Sequence, residues 1–270
     1  MQEKQLEFFK TWFHDYVRGF YGDDDYINAN LKLKEDHTYR VCLETTYLAE
    51  RLGFEENDRL IAQTIALLHD VGRFEQFIKY GTYNDPRSIN HCALALDILR
   101  QNSVLDGLDR REKELIETAI ELHGSKALPS NLDRDIALFA KLIRDADKID
   151  VYHVLIDCYK KYMVNPDRFN LELEFPDEPY YSPHVVKAIL EGQLIDYSEL
   201  RTLNDMKLLQ LGWVFDVNFP ETLARIRQRQ FLEQIFAMLP RTKEIVKVGK
   251  CVFNHVNDRL DQAEQFPPTK

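Results

Sequence analysis

The stretch ALLHDVGRFE (residues 66–75) carries an apolar helical run into a titratable pair, His69 and Asp70, with Gly72 cutting the run off and Arg73 behind it. Apolar residues at three- and four-residue spacing lead up to the pair and mark a helix with one buried stripe. A buried stripe that finishes in an imidazole beside a carboxylate has brought both groups to the mouth of a core. The same apolar spacing runs through most of the chain, which holds only ten glycines and ten prolines and shows no internal repeat. The fold class it predicts is all-α.

Helices are expected at about 3–20, 36–52, 58–70, 73–79, 88–101, 109–123, 133–161, 183–192, 198–212, 221–239 and 241–262. Gly53 and Gly124 stand just past helix ends, and Ser182 with Pro183 reads as a cap followed by a proline at the first helical position. Residues 165–183 lack helical period, hold four prolines and alternate briefly from Leu171 to Phe175, which predicts a long loop or small hairpin. No Gly-, Ser- or Pro-rich linker divides the chain. One domain is expected, with a C-terminal helical elaboration after about residue 183.

With 270 residues and 44% hydrophobic content the chain can bury a sizeable core. Its 45 acidic against 35 basic residues, net −10, argue against a nucleic-acid polymer as partner. A small phosphorylated ligand stays compatible, because a local metal or arginine overrules a global charge. Cys42, Cys92, Cys158 and Cys251 show no CxxC pairing and read as reduced core thiols. The first residues resemble an amphipathic helix rather than a signal peptide, and no apolar run nears membrane-spanning length, so the cytoplasm is the expected address and no membrane the expectation.

The chain contains two His-Asp dipeptides, and with eight His and 24 Asp such a pair alone is weak evidence. His14 with Asp15 lies inside the first amphipathic helix and reads as a surface pair. His69 with Asp70 differs because other candidate ligands also stand at helix ends. His37 is read near the start of the preceding helix, joined to the next by a short connection, so antiparallel packing brings His37 to His69. His91 follows a candidate cap at Ser88, His123 is the last residue before Gly124, and Asp145 lies in LIRDADKID. Neutral imidazoles and carboxylates are ligands for divalent transition metals, and four histidines with two aspartates exceed what one ion takes while keeping an open position.

His37, then His69 and Asp70, then Asp145 resemble the H…HD…D signature of the HD-domain superfamily of metal-dependent phosphohydrolases. With His91 and His123 the pattern is similar to its binuclear members, over roughly residues 30–160. The resemblance implies a core of about five helices around two divalent ions, of Mn, Fe, Co, Ni, Zn or Mg. One ion would take His37, His69, Asp70 and Asp145, the other His91 and His123, with Asp70 bridging. A carboxylate suits a bridge because it offers two oxygens.

Two such ions can acidify a shared water and clamp a phosphoryl oxygen. Arg73 is the candidate phosphate fork and Lys148 a second cation, whose alternative is a salt bridge with Asp145 or Glu174. One of Asp147, Asp150 and His153 is a candidate to hold a ligand imidazole, although helical spacing sets Asp147 on a different face from Asp145, and His153 reads as packing. His184, His255 and the run RIRQRQ (225–230) also read as structural. The expected function is hydrolysis of a phosphate ester of a nucleotide or small phosphorylated metabolite. A mixed-valent di-iron oxygenase on the same frame is the alternative, and a non-catalytic helical module that keeps the ligands is the third. The amphipathic C-terminal helices suggest a homodimer.

Overall fold

A computed structural model describes residues 1–165 and 175–265. Among them no strand occurs, and the chain runs through α1 (Glu3–Arg18), α2 (Asp25–Arg51), α3 (Glu56–Leu68), α4 (Val71–Tyr80), α5 (His91–Gln101), α6 (Arg110–His123), α7 (Arg134–Val164), α8 (Pro183–Leu190), α9 (Leu203–Gly212), α10 (Pro220–Gln228), α11 (Phe231–Ala237) and α12 (Lys243–Gln265). The expected hairpin at Leu171 to Phe175 falls, except for Phe175, outside the described residues, as does Glu174. Two compact units divide the chain at 150/151, inside α7.

In the first unit α2 packs along α3, α3 meets α1 and α6, and α5 lies against α4 and α6. The core joins one side of each helix. Phe13 and Phe74, both without exposed surface, meet edge to face at 5.9 Å between ring centres. Gly53, with φ +71°, follows the last turn of α2 and takes the left-handed conformation that a non-glycine residue resists.

Three local expectations change here. α2 begins at Asp25, eleven residues before the expected start at 36, with the Asp24 carboxylate accepting the Ile27 N–H as its cap; His37 therefore sits in mid-helix. α5 is capped by Asn90, whose side chain accepts the Ala93 N–H, so Ser88 is not its cap and His91 is its first residue. Gly72 does not stop a helix: α3 ends at Leu68 and α4 begins at Val71, placing Gly72 within α4. A Cβ on Gly72 would lie 2.3 Å from the carbonyl oxygen of His91 and 2.8 Å from the amide of Ala95. The glycine is there so that the backbones of α4 and α5 can touch.

In the second unit α9 is buried on every side, with α8 and α11 packed on it, and α12 runs along α8 and α10. A helix without a wet face must satisfy its polar side chains internally. Asp205 accepts from the Ser182 amide and hydroxyl, both at 2.7 Å, and from the Arg201 and Thr202 amides at 2.9 and 3.2 Å. Ser182 holds the N-cap position of α8 and Pro183 is its first residue, as expected, but the Ser182 hydroxyl donates to Asp205 and does not cap the helix. The single helix expected over 221–239 is two, because Gln230 turns left-handed at φ +54° between α10 and α11. His153 is exposed rather than packed, His184 meets the Glu199 carbonyl, and His255 stands edge-on to Phe215.

Candidate metal centre

Five of the six expected ligands converge in the first unit. His37 comes from the middle of α2, His69 and Asp70 from the α3–α4 junction, His91 from the first residue of α5 and His123 from the last of α6. All five are buried, none more than 6% exposed. The ring centres of His37 and His69 are 5.6 Å apart, those of His69 and His123 5.0 Å, and those of His91 and His123 4.9 Å.

Asp70 stands between the two histidine pairs. Its Oδ2 lies 3.4 Å from His37 Nε2 and 3.6 Å from His69 Nε2, while its Oδ1 lies 3.6 Å from His91 Nε2 and 3.7 Å from His123 Nε2. One oxygen serves each pair. Asp70 is the half-in residue before α4, with φ −108° and ψ 15°, outside helical values, and its side chain converges with that of His69 on the space among the rings. Deep inside a helix, neighbours stand about 100° apart and cannot both face one point.

Every imidazole is anchored through Nδ1. His37 Nδ1 meets Asp150 Oδ2 at 2.7 Å, His69 Nδ1 the carbonyl of Ala66 at 2.7 Å, His91 Nδ1 Asp85 Oδ2 at 2.6 Å and His123 Nδ1 the carbonyl of Ile120 at 2.7 Å. A carbonyl only accepts, so His69 and His123 carry their proton on Nδ1 and turn Nε2 inward; the carboxylates hold His37 and His91 the same way. His37 Nε2 and His69 Nε2 are buried with no hydrogen-bond partner. His91 Nε2 and His123 Nε2 approach to 3.0 Å, a contact that needs a proton or a cation between two lone pairs. Orphaned inward nitrogens around a shared carboxylate fit a set of divalent cations.

On α7 it is Asp147 that lies against His37, where the sequence reading names Asp145. Asp147 Oδ1 lies 3.2 Å from His37 Nε2. Residues two apart on a helix point about 200° apart, so the turn of α7 that aims Asp147 at His37 carries Asp145 to the opposite side. Asp145 is fully buried there. Asp150, one turn on from Asp147 and on its face, takes the supporting role, with Arg40 Nε and Nη2 on its two oxygens at 2.6 and 3.0 Å.

The cations also differ from expectation. Lys34, one turn before His37, places Nζ 2.9 Å from Asp70 Oδ2, a role the sequence reading passed over although the i, i+3 spacing to His37 signals it. Arg73 stands beside the site, Nε 3.4 Å from Asp70 Oδ1, but its Nη1 is committed to Gln76, the Tyr83 carbonyl and Asp85 Oδ1. Lys148 is half-buried one residue after Asp147, about 100° around α7 from it. Cys92, expected as a plain core thiol, lies beside the His91/His123 pair: Sγ is 3.4 Å from His91 Nε2 and 3.5 Å from His123 Nδ1.

These surroundings set the proton affinities. Burial and Lys34 press His37 toward neutrality, but the nearby carboxylates of Asp147, Asp150 and Asp70 prevail and raise its pKa to about 10. Burial likewise opposes the charge on His123, and Asp70 and Cys92 outweigh it, again to about 10. His69 has no such carboxylate bond, and burial lowers it to about 4. Burial opposes ionisation of Asp70 as well, yet Lys34 and the ring of histidines hold it well below the usual carboxylate range. Cys92 resists ionisation through burial but is brought down to about 6 by its bonds to His123 and His91.

No curated protein and no solved structure matches the chain. The family model of the HD domain matches residues 35–152, a span that begins two residues before His37 and ends two after Asp150. Candidate ligand groups, all-helical scaffold and family match coincide on one segment: residues 35–152 are similar to the HD domain, and the buried His/Asp groups within them are consistent with a metal site of that kind.

Proposed function

We propose that this centre holds two divalent cations and hydrolyses a phosphate ester of a nucleotide or another small phosphorylated metabolite. The observation that carries the reading is the division of Asp70 between two histidine pairs, one oxygen to each. His37, His69, Asp70 and Asp147 would hold one cation; His91 and His123, with the other oxygen of Asp70, would hold the second. Bound there, divalent cations supply Lewis acidity, acidifying water near neutral pH and polarising a phosphoryl oxygen.

The protein's own groups do the positioning. Asp150 and Asp85 hold His37 and His91 by Nδ1, and the carbonyls of Ala66 and Ile120 hold His69 and His123, so all four rings present Nε2 without rearrangement. Lys34 and Arg73, on opposite oxygens of Asp70, put positive charge at the edge of the centre, where a phosphate can exchange for part of their interaction with the carboxylate. Arg73 has the smaller freedom of the two because its Nη1 is tied into the Asp85 segment. Lys148 stays a candidate second cation from the neighbouring face of α7.

The test is a panel of phosphomonoesters and phosphodiesters assayed with Mn²⁺ or Co²⁺ in the absence of oxygen. Turnover is expected in the wild type and not in Asp70→Ala, with metal content lost in parallel. Anaerobic turnover separates hydrolysis from an iron- and oxygen-dependent reaction on the same ligand frame. Undiminished turnover in Asp70→Ala overturns the reading.

A further inference from the structure

The two ends of the centre are unlike in donor chemistry. The His37 end gathers two imidazoles and the oxygens of Asp70 and Asp147. The His91 end adds sulfur. His91, Cys92 and His123 are all buried, and one ligand atom from each lies within 4.8 Å of the other two. Asp70 Oδ1 completes a set of two nitrogens, one sulfur and one oxygen.

We propose that Cys92 is a thiolate ligand at the His91/His123 position, so that this position takes Zn²⁺ or Co²⁺ in preference to Mg²⁺ or Mn²⁺ while the His37 end accepts the harder ions. The inference rests on the binuclear reading above and adds a ligand and a metal preference to it. Three observations carry it. First, tetrahedral zinc with bonds of about 2.0 Å to nitrogen and about 2.3 Å to sulfur separates N from S by about 3.5 Å and N from N by about 3.3 Å. The 3.4 Å from Cys92 Sγ to His91 Nε2 and the 3.0 Å between the two Nε2 atoms approach those edges before any ion is placed.

Second, His91 and Cys92 are the first two residues of α5, where the helix has only begun and adjacent side chains can converge, as His69 and Asp70 do at the α3–α4 junction. Third, the thiol's space is reserved. A Cβ on Gly124 would lie 2.8 Å from Cys92 Sγ and 3.1 Å from His91 Cε1. Gly124 has φ −84°, which any residue adopts, so backbone conformation does not require glycine there; the room for sulfur and imidazole does. Thiolate donors favour zinc and similar borderline ions, whereas carboxylate and water donors suit magnesium and manganese.

The experiment uses the full chain, stripped with a chelator and titrated with Co²⁺ while its absorption spectrum is recorded. Wild type is expected to develop a near-ultraviolet thiolate-to-cobalt charge-transfer band that follows one of two bound equivalents. Cys92→Ser is expected to lose the band and to hold Zn²⁺ at least ~10-fold more weakly, with Mn²⁺ binding changed less than Zn²⁺ binding. A variant with Cys42, Cys158 and Cys251 all changed to Ser should keep the band, which protects the test against misfolding of Cys92→Ser. Two bound cobalt ions without the band, or a band that survives in Cys92→Ser, overturns the thiolate ligand and leaves the binuclear reading standing. Failure of the wild type to bind cobalt removes both.

Discussion

Asp70 and Asp205 are both buried carboxylates, one in each compact unit, and the protein treats them differently. Asp205 accepts three backbone amides and a hydroxyl, a cradle of the kind that ties loop ends to a helix start. Asp70 makes no capping bond to the helix it precedes; its surroundings are one ammonium at 2.9 Å, a guanidinium at 3.4 Å and four imidazole nitrogens at 3.4–3.7 Å, too far for good hydrogen bonds. Burial alone does not mark a functional carboxylate. The mark is a buried charge whose partners stand back and point inward.

That contrast breaks if the two residues respond alike to substitution. Asp70→Ala should lower turnover of the phosphoester by more than ~10³-fold and remove bound metal while the helix content seen by circular dichroism is kept. Asp205→Ala should do the reverse, lowering stability by about 3 kcal/mol in urea titration through the loss of several amide bonds to one carboxylate, with metal content per folded molecule unchanged. A change confined to the supporting shell sharpens the picture: Asp150→Asn leaves every direct ligand in place but loosens the Nδ1 anchor of His37, and should weaken metal affinity ~10–100-fold by calorimetric titration.

The smallest effect concerns protons. His37 and His123, with pKa values raised to about 10, are protonated in the metal-free protein at neutral pH, whereas His69 at about 4 is already neutral. Cations must therefore expel protons from His37 and His123 but not from His69. Between pH 8 and pH 6 affinity should fall with falling pH, by about tenfold per pH unit for each proton displaced, and titrations in two buffers of different ionisation enthalpy should register that release. Affinity that rises toward pH 6 would contradict the assignment of these rings as ligands.

The all-helical class and five of the residues that converge around Asp70, itself included, are legible in the chain, because apolar period and the His-Asp motif are local signals. What escaped was set by register or by neighbours distant in sequence. The first part of α2 is hard to read because YINANLKLKED interleaves its apolar residues with asparagine and lysine and shows no clear helical stripe, although Asp24 and Leu31 mark its cap and its buried side. Asp147 was passed over for Asp145 because both lie in one short acidic run and only the rotation of α7 chooses between them. Cys92 reads as an ordinary buried thiol until α6 brings His123 to it, and Lys34 looks like one more surface lysine until Asp70 arrives from the α3–α4 junction. The break at Gln230 carries no glycine or proline to announce it.

Gly72 gives the two ends of the centre a fixed gauge. The first turn of α5, which carries His91 and Cys92, rests on a hydrogen atom where any other residue would interpose a methyl group 2.3 Å from a carbonyl. The width of the cavity is thus decided by backbone against backbone, independently of what fills it. A backbone contact this close predicts that the spacing of α4 and α5 stays the same whether or not ions are bound.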